Sequence, residues 1–379
     1  MIDTKKILLR SWHILWAYRV LWIFGFLLAL ASGNNQINNN YRSDNNNNNP
    51  PSSVQAPSWE DLQGDTFAEK MNDAFAKLGL EIQKLQERYP VEFRMVIAAA
   101  VTGFVVLVLL GIVIGVLRYV ATTAAIRMVN EYEQSGVKVG FRQGWKYGWS
   151  RAAWRAFWVN VLVRLPLLVL FVVLGLIGWW IFSAFMNGEE WTIISSLIAG
   201  IGLAFLFIFA TAILMAVLYV LRDLAWRLVA LEDAKVIESL RAAWALVRRQ
   251  WKSVGPMWLV MIGINIIWSI AFVVLIVPLL IVSLVTAIGG LVVAILPTLL
   301  TAGIVSLLSA PDYWPWIFAA IIGAPIFFII TFSPVLLVNG WHEIYQSSVW
   351  TLTYRELKAL ETIKPEAVEP APAPSQPTA

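Results

Sequence analysis

Apolar residues run through this chain in long blocks, and polar residues gather in the short stretches between them. The blocks fall at about 20–31, 96–117, 157–185, 193–221, 258–280 and 316–338. Most reach the ~20 residues that a helix needs to cross hydrocarbon. The first is short. Joined to Ile14 through Tyr18, it spans if Arg19 snorkels or faces protein. A signal peptide is the alternative, with a basic start and the small-residue site Ala29-Leu30-Ala31. The spacing of Trp12 and Trp16, shared with Trp145 and Trp149, favours a retained helix. The stretch 281–308 is also apolar but carries Gly289, Gly290 and Pro297, so it spans, dips in and returns, or forms an outer hairpin.

The polar stretches repeat. Val137, Phe141, Arg142, Gly144 and Trp145 reappear as Val236, Leu240, Arg241, Ala243 and Trp244 with the same spacing. Each copy follows one apolar block and precedes another. In the first copy Val137, Phe141, Trp145, Gly148 and Ala152 form an apolar stripe opposite Lys138, Arg142, Lys146 and Arg151. The second is expected over 232–252, with Trp244 and Trp251 facing Arg241, Arg248 and Arg249. Such helices lie in the plane of a membrane surface. Arg10-Ser11-Trp12 is a weaker third start, and Ala125-Ile126-Arg127, Ala225-Trp226-Arg227 and Trp350 through Arg355 close the three hairpins. The pattern predicts duplication. The fold class is therefore an all-α polytopic integral membrane helical bundle, with about six transmembrane helices in hairpin repeats and cytosolic interfacial helices.

Residues 1–32 form the first transmembrane helix on this reading, and 33–93 an extracytoplasmic segment. That segment opens on an Asn-rich linker containing Asn45 through Asn49, too polar to fold alone. Ser58 and Asp61 form a capping box ahead of Phe67, Met71, Phe75, Leu78, Ile82 and Leu85, at helical spacing up to Pro90. Residues 94–361 are the membrane domain with its repeated hairpins, and 362–379 a disordered cytosolic tail rich in Pro, Ala and Glu.

Composition sharpens this picture. The chain is 59% apolar and 14% charged, against roughly 25% charged in soluble domains. Mean hydropathy is +0.69. The 20 tryptophans suit membrane–water boundaries. Net charge is +4. Basic residues cluster in the connections assigned to the cytosol, which sets both termini inside by the positive-inside rule. A multi-pass protein of the plasma membrane contacting anionic lipid follows, not a nucleic-acid binder. There is no cysteine, which excludes disulfides, thiolate nucleophiles and iron–sulfur clusters, and only two histidines.

The opening Leu21-Trp22-Ile23-Phe24-Gly25, the two Arg-x-x-Trp helices and the closing Trp350-Thr351-Leu352-Thr353-Tyr354-Arg355-Glu356-Leu357 carry a family resemblance. The chain resembles uncharacterised bacterial membrane proteins related to the membrane domain of glycerophosphodiester phosphodiesterases. In that family the catalytic barrel is a separate soluble domain, and no stretch here is long or polar enough to be one. The resemblance thus implies a membrane part without the chemistry.

Candidate sites are few. Arg142, Trp145, Arg151, Arg241, Trp244, Arg248 and Arg249 offer a basic surface with buried tryptophan anchors for phospholipid headgroups or an acidic protein partner; topological bias explains the same charges. Asn160, Arg164 and Asn265 form a candidate intramembrane polar site, with a snorkelling Arg164 and ordinary helix packing as the plain alternatives. Gly111 and Gly115 make a GxxxG packing step. His342-Glu343 begins a zincin pattern, but Gln346 stands where the second ligand belongs, so no metal or cofactor site is expected. Glu232 and Asp233 suit a helix N-terminus and point apart. The expected function is non-enzymatic organisation of lipid or partner proteins. The alternatives are a transporter or channel-like protein for a small or lipid-like anion, with Pro166, Pro278, Pro297 and Pro325 marking broken helices, and, least favoured, a lipid-modifying enzyme.

Overall fold

The computed structural model describes residues 2–32, 64–187, 190–307 and 313–363. Among them every regular element is a helix. The first two are α1 (Thr4–Ala17) and α2 (Leu21–Ser32). They do not form one straight span, because the chain bends by 103° between them. Two side chains hold the bend. The Trp22 indole N–H donates to the Leu15 carbonyl at 2.8 Å, and the Tyr18 hydroxyl donates to the Val139 carbonyl at 2.6 Å. Residues 14–18 therefore add nothing to the length of α2, whose 12 residues rise only ~18 Å.

Next come α3 (Gly64–Arg88) and α4 (Pro90–Ser135), parted where Pro90 takes the first helical position, as expected for a residue without an N–H. The capping pair Ser58 and Asp61 lies outside the described residues. Gly136, at φ +70°, ends α4. Then follow α5 (Phe141–Gly148), α6 (Arg151–Asn187), α7 (Glu190–Glu232), α8 (Val236–Arg249), α9 (Trp251–Leu307), α10 (Trp314–Thr331) and α11 (Ser333–Ile363).

Several boundaries differ from the sequence expectation. The first signature helix stops at Gly148, so Arg151 and Ala152 belong to the first turn of α6. The second covers 236–249, and Trp251 and Lys252 open α9. The stretch 281–308 is neither a separate span nor re-entrant: through Leu307 it continues the 57-residue α9. The last expected span is cut at Phe332, between α10 and α11. Pro166, Pro278, Pro297 and Pro325 all sit inside continuous helices, so they do not mark broken ones.

Five described helices (α4, α6, α7, α9, α10) are long and apolar enough to cross a membrane, and a sixth is reached only by counting bent α1–α2 as one. In the most apolar window of α7 no residue is buried, and in those of α4 and α6 only 6% are. Phe104, Leu107, Phe171, Leu206 and Ile208 all point outward. In water such a surface would cost about 25 cal/mol for every Å² exposed, so hydrocarbon must cover it.

The protein core lies instead at one end, where the basic helices are. There the C-terminal halves of α4, α7 and α11 touch one another. Ala121, Ala124 and Ala125 of α4, Leu224 and Ala225 of α7, and Val349 and Trp350 of α11 are buried in one cluster. A short helix lies across each of these three: α5 on α4, α8 on α7 and α1 on α11. Each puts a small buried residue on its inner face, respectively Gly144, Ala243 and Ser11. A methyl added at Gly144 would stand 2.4 Å from the Met128 sulfur. Guanidinium groups tie the helices in order. Arg127 of α4 donates through Nε to the Ala230 carbonyl of α7 at 2.7 Å, and Arg355 of α11 donates to the Asn130 carbonyl of α4 at 3.0 Å.

Candidate functional site

An apolar groove of about 990 Å³ lies between α4 and α6. Gly111 and Gly115 form part of its wall, and Trp154 and Phe157 part of the other. Neither glycine has a neighbour within 4 Å of where a Cβ would stand, so the GxxxG step does not pack a helix here. It hollows a channel instead. At the basic end the groove closes on Trp149, Ser150 and Arg151. The Ser150 hydroxyl is fixed by Arg127, which donates to it at 3.2 Å. Trp149 stacks on Trp145, ring centroids 6.1 Å apart. Arg151 is exposed and has no ion-pair partner among the described residues.

A second apolar groove, about 480 Å³, lies between α7 and α9, lined by Ala212, Ala216, Val220, Trp251, Val254 and Trp258. At the corresponding junction of α11 with α2 the backbones are in contact: a Cβ at Gly25 would lie 2.5 Å from the Gly340 oxygen. Close glycine packing closes this third junction, whereas the other two stand open.

The arginines that the sequence suggested for a basic surface lie on the outside of the protein. Arg142, Arg151, Arg241, Arg248 and Arg249 are all exposed, and among the described residues only Arg249 has an acidic neighbour, Glu361 at 3.8 Å. The tryptophans of that surface are not buried anchors: Trp145 is half-buried and Trp244 exposed, because the inner face of each short helix is taken by the small residue that lets it approach its neighbour. Glu232 and Asp233 close α7 instead of opening a helix. Glu232 accepts from Lys358 at 2.9 Å and from the Tyr354 hydroxyl, and Asp233 pairs with Arg127 at 3.2 Å.

The polar trio does not converge. Asn160 is buried and donates to the Tyr119 hydroxyl at 2.8 Å. Arg164 is exposed. Asn265 belongs to a different cluster, where its Oδ1 lies 3.0 Å from His342 Nε2 and also accepts from Gln346. The His342 ring stacks on Trp268 at 4.7 Å, and burial pushes its pKa down to about 4, which keeps the imidazole neutral. No group of three metal-ligating side chains forms among the described residues.

The charged site that sequence reasoning missed lies where α2, α4, α7 and α11 meet, in a cavity of about 170 Å³. Arg118, Arg222, Asp223, Arg227 and Glu343 line it. Arg222 pairs with Asp223 at 3.0 Å, and Arg227 approaches the same carboxylate at 3.7 Å. The Arg222 guanidinium also lies 4.8 Å from the Trp226 ring centroid and 5.0 Å from that of Tyr219. Ser32 donates to Glu343 at 3.0 Å. In sequence these arginines look like ordinary boundary charges. The available signal was spacing: Tyr219, Arg222 and Trp226 fall three and four residues apart along α7, and Asp223 and Arg227 four apart beside them.

Fold and surface together define a multi-pass, all-α membrane protein with its packed core at the basic end. Within that class, the chain belongs to a family of unknown function, DUF7544, whose model matches residues 4–360. No curated protein and no solved structure matches it.

Proposed function

We propose that this protein is a non-enzymatic lipid-holding component of the plasma membrane, with both termini in the cytosol. The observation that carries this reading is the groove between α4 and α6. It joins a long apolar wall to an unpaired arginine and a tryptophan pair at one end. A phospholipid has that same polarity: apolar chains beside hydrocarbon, an anionic phosphate at the interface. The exposed basic faces of α5 and α8 extend the attraction to the surrounding anionic leaflet, or to an acidic protein docked there. The matched order of short helix, outgoing helix and returning helix supports three copies of one hairpin unit, the third with its lipid groove sealed by Gly25 and Gly340.

Purification in mild detergent followed by mass spectrometry of bound lipid tests this. Gly115→Trp places a ring in open groove space and leaves the core untouched. It should lower phospholipid recovery severalfold, and Arg151→Gln should reduce the preference for anionic over zwitterionic lipid. Equal recovery from wild type and Gly115→Trp would remove the proposal.

A second reading, transport of a small anion, draws support from the charged cavity at the helix junction. The unbroken course of α6, α9 and α10 through their prolines counts against it.

A further inference from the structure

The cavity between α2, α4, α7 and α11 has more hydrogen-bond donors than the protein satisfies. Its three guanidiniums face two carboxylates. Asp223 is shared by Arg222 and Arg227. Glu343 accepts from Ser32 and forms no ion pair with any of the arginines. The Arg118 guanidinium makes no hydrogen bond and no close ion pair among the described residues, although it is half-buried beside a lipid-covered span; the Glu343 carboxylate of the same cavity attracts it only at longer range. Two further groups of the same wall are buried without a partner, Arg227 Nε and Ser347 Oγ. Arg227 is held in place by donating to the Asp223 carbonyl at 2.6 Å and to the Ser347 carbonyl at 3.3 Å, so its orientation is fixed by the backbone of two helices.

Unpaired donors and an unpaired cation in one low-dielectric cavity are each costly. An anion in the cavity answers the net positive charge of its lining, three guanidiniums against two carboxylates. We infer that this cavity binds a phosphate-type anion, with Arg118 as its principal ion-pair partner and Arg227 Nε and Ser347 Oγ as hydrogen-bond donors. The space, about 170 Å³, accommodates a tetrahedral oxyanion, and is below the ~300 Å³ at which drug-sized ligand pockets begin. Guanidinium groups suit phosphate because their planar fork matches two of its oxygens. Glu343 limits the affinity, since its charge opposes the ligand. The inference is independent of the groove between α4 and α6, which uses other residues and is tested by other variants.

The test is thermal unfolding of the purified protein in neutral detergent, titrated separately with inorganic phosphate and with short-chain phosphatidic acid at constant ionic strength, sulfate-free. Wild type should gain a saturable rise in Tm with at least one probe. A response to inorganic phosphate identifies a free anion as sufficient; a response to phosphatidic acid alone identifies a lipid headgroup. Arg118→Gln should weaken the apparent affinity at least tenfold, Ser347→Ala should weaken it severalfold, and Glu343→Gln should tighten it. Should Arg118→Gln fail to fold, the opposite shifts of the other two variants decide the matter. No saturable response in wild type to either probe, or affinities unchanged in Ser347→Ala and Glu343→Gln, would overturn the inference.

Discussion

The contact between Gly25 and Gly340 gives a quantitative test of how α2 is held. A Cβ on Gly25 would lie 2.5 Å from the Gly340 oxygen and 2.8 Å from Ile344 Cγ1; one on Gly340 would lie 2.5 Å from the Gly25 carbonyl carbon. Ordinary van der Waals contact begins at 3.4 Å, so Gly25→Ala must push the helices apart by ~1 Å, and the obstacle is backbone that no rotamer change relieves. Overpacking of this kind costs about 1–3 kcal/mol. For a protein of this size that lowers Tm by on the order of 5 °C. Because one separation makes room for both methyls, Gly25→Ala with Gly340→Ala should cost less than the sum of the two. Gly115→Ala is the internal control: its methyl enters empty space, and the higher helix propensity of alanine should leave Tm unchanged or raised. Fluorescence-detected size exclusion after heating reads all four proteins. If Gly25→Ala melts with wild type while Gly115→Ala melts lower, the close-packing argument is wrong.

His342 predicts a pH effect of definite sign. Its folded pKa of about 4 lies below the free value of 6.5, so the unfolded chain takes up its proton first as pH falls. Stability from this group is complete above 6.5 and declines as pH falls to 4, by about 3 kcal/mol in all; His342→Asn should flatten the fall in Tm across that window, and equal slopes would contradict the assignment. Arg355→Met leaves the Asn130 carbonyl and side-chain oxygen without their donor, and should cost about 1–3 kcal/mol in thermal stability, whereas Arg241→Met, on an exposed face, should cost less than ~0.5 kcal/mol. Reporters fused after Gly144 and after Lys364 should both read cytosolic, and disagreement between them would break the proposed orientation.

The sequence by itself determined the solvent and the class of the chain. Blocks of apolar residues near 20 long have no water-soluble arrangement, and the spacing of Val137 through Trp145 and of Val236 through Trp244 located two helices that do form, as α5 and α8. These features are local: hydropathy and helical period depend on neighbours a few residues away. Even so, their ends were misjudged where a bend or a new helix began, at Tyr18, Gly148 and Phe332.

Tertiary structure alone decided everything that depends on which helices meet. Gly111 and Gly115 carry the same signal as a packing step, yet they open a groove, while Gly25 and Gly340, 315 positions apart in sequence, seal one. Arg164, Asn160 and Asn265 are the conspicuous polar residues within apolar blocks, yet they have separate surroundings. Arg118, Arg222 and Arg227 look like boundary charges and instead converge at a junction of four helices. A one-dimensional pattern records how polar a position is. Whether its charge is answered by lipid headgroup, water or another helix is fixed only when distant segments are brought side by side.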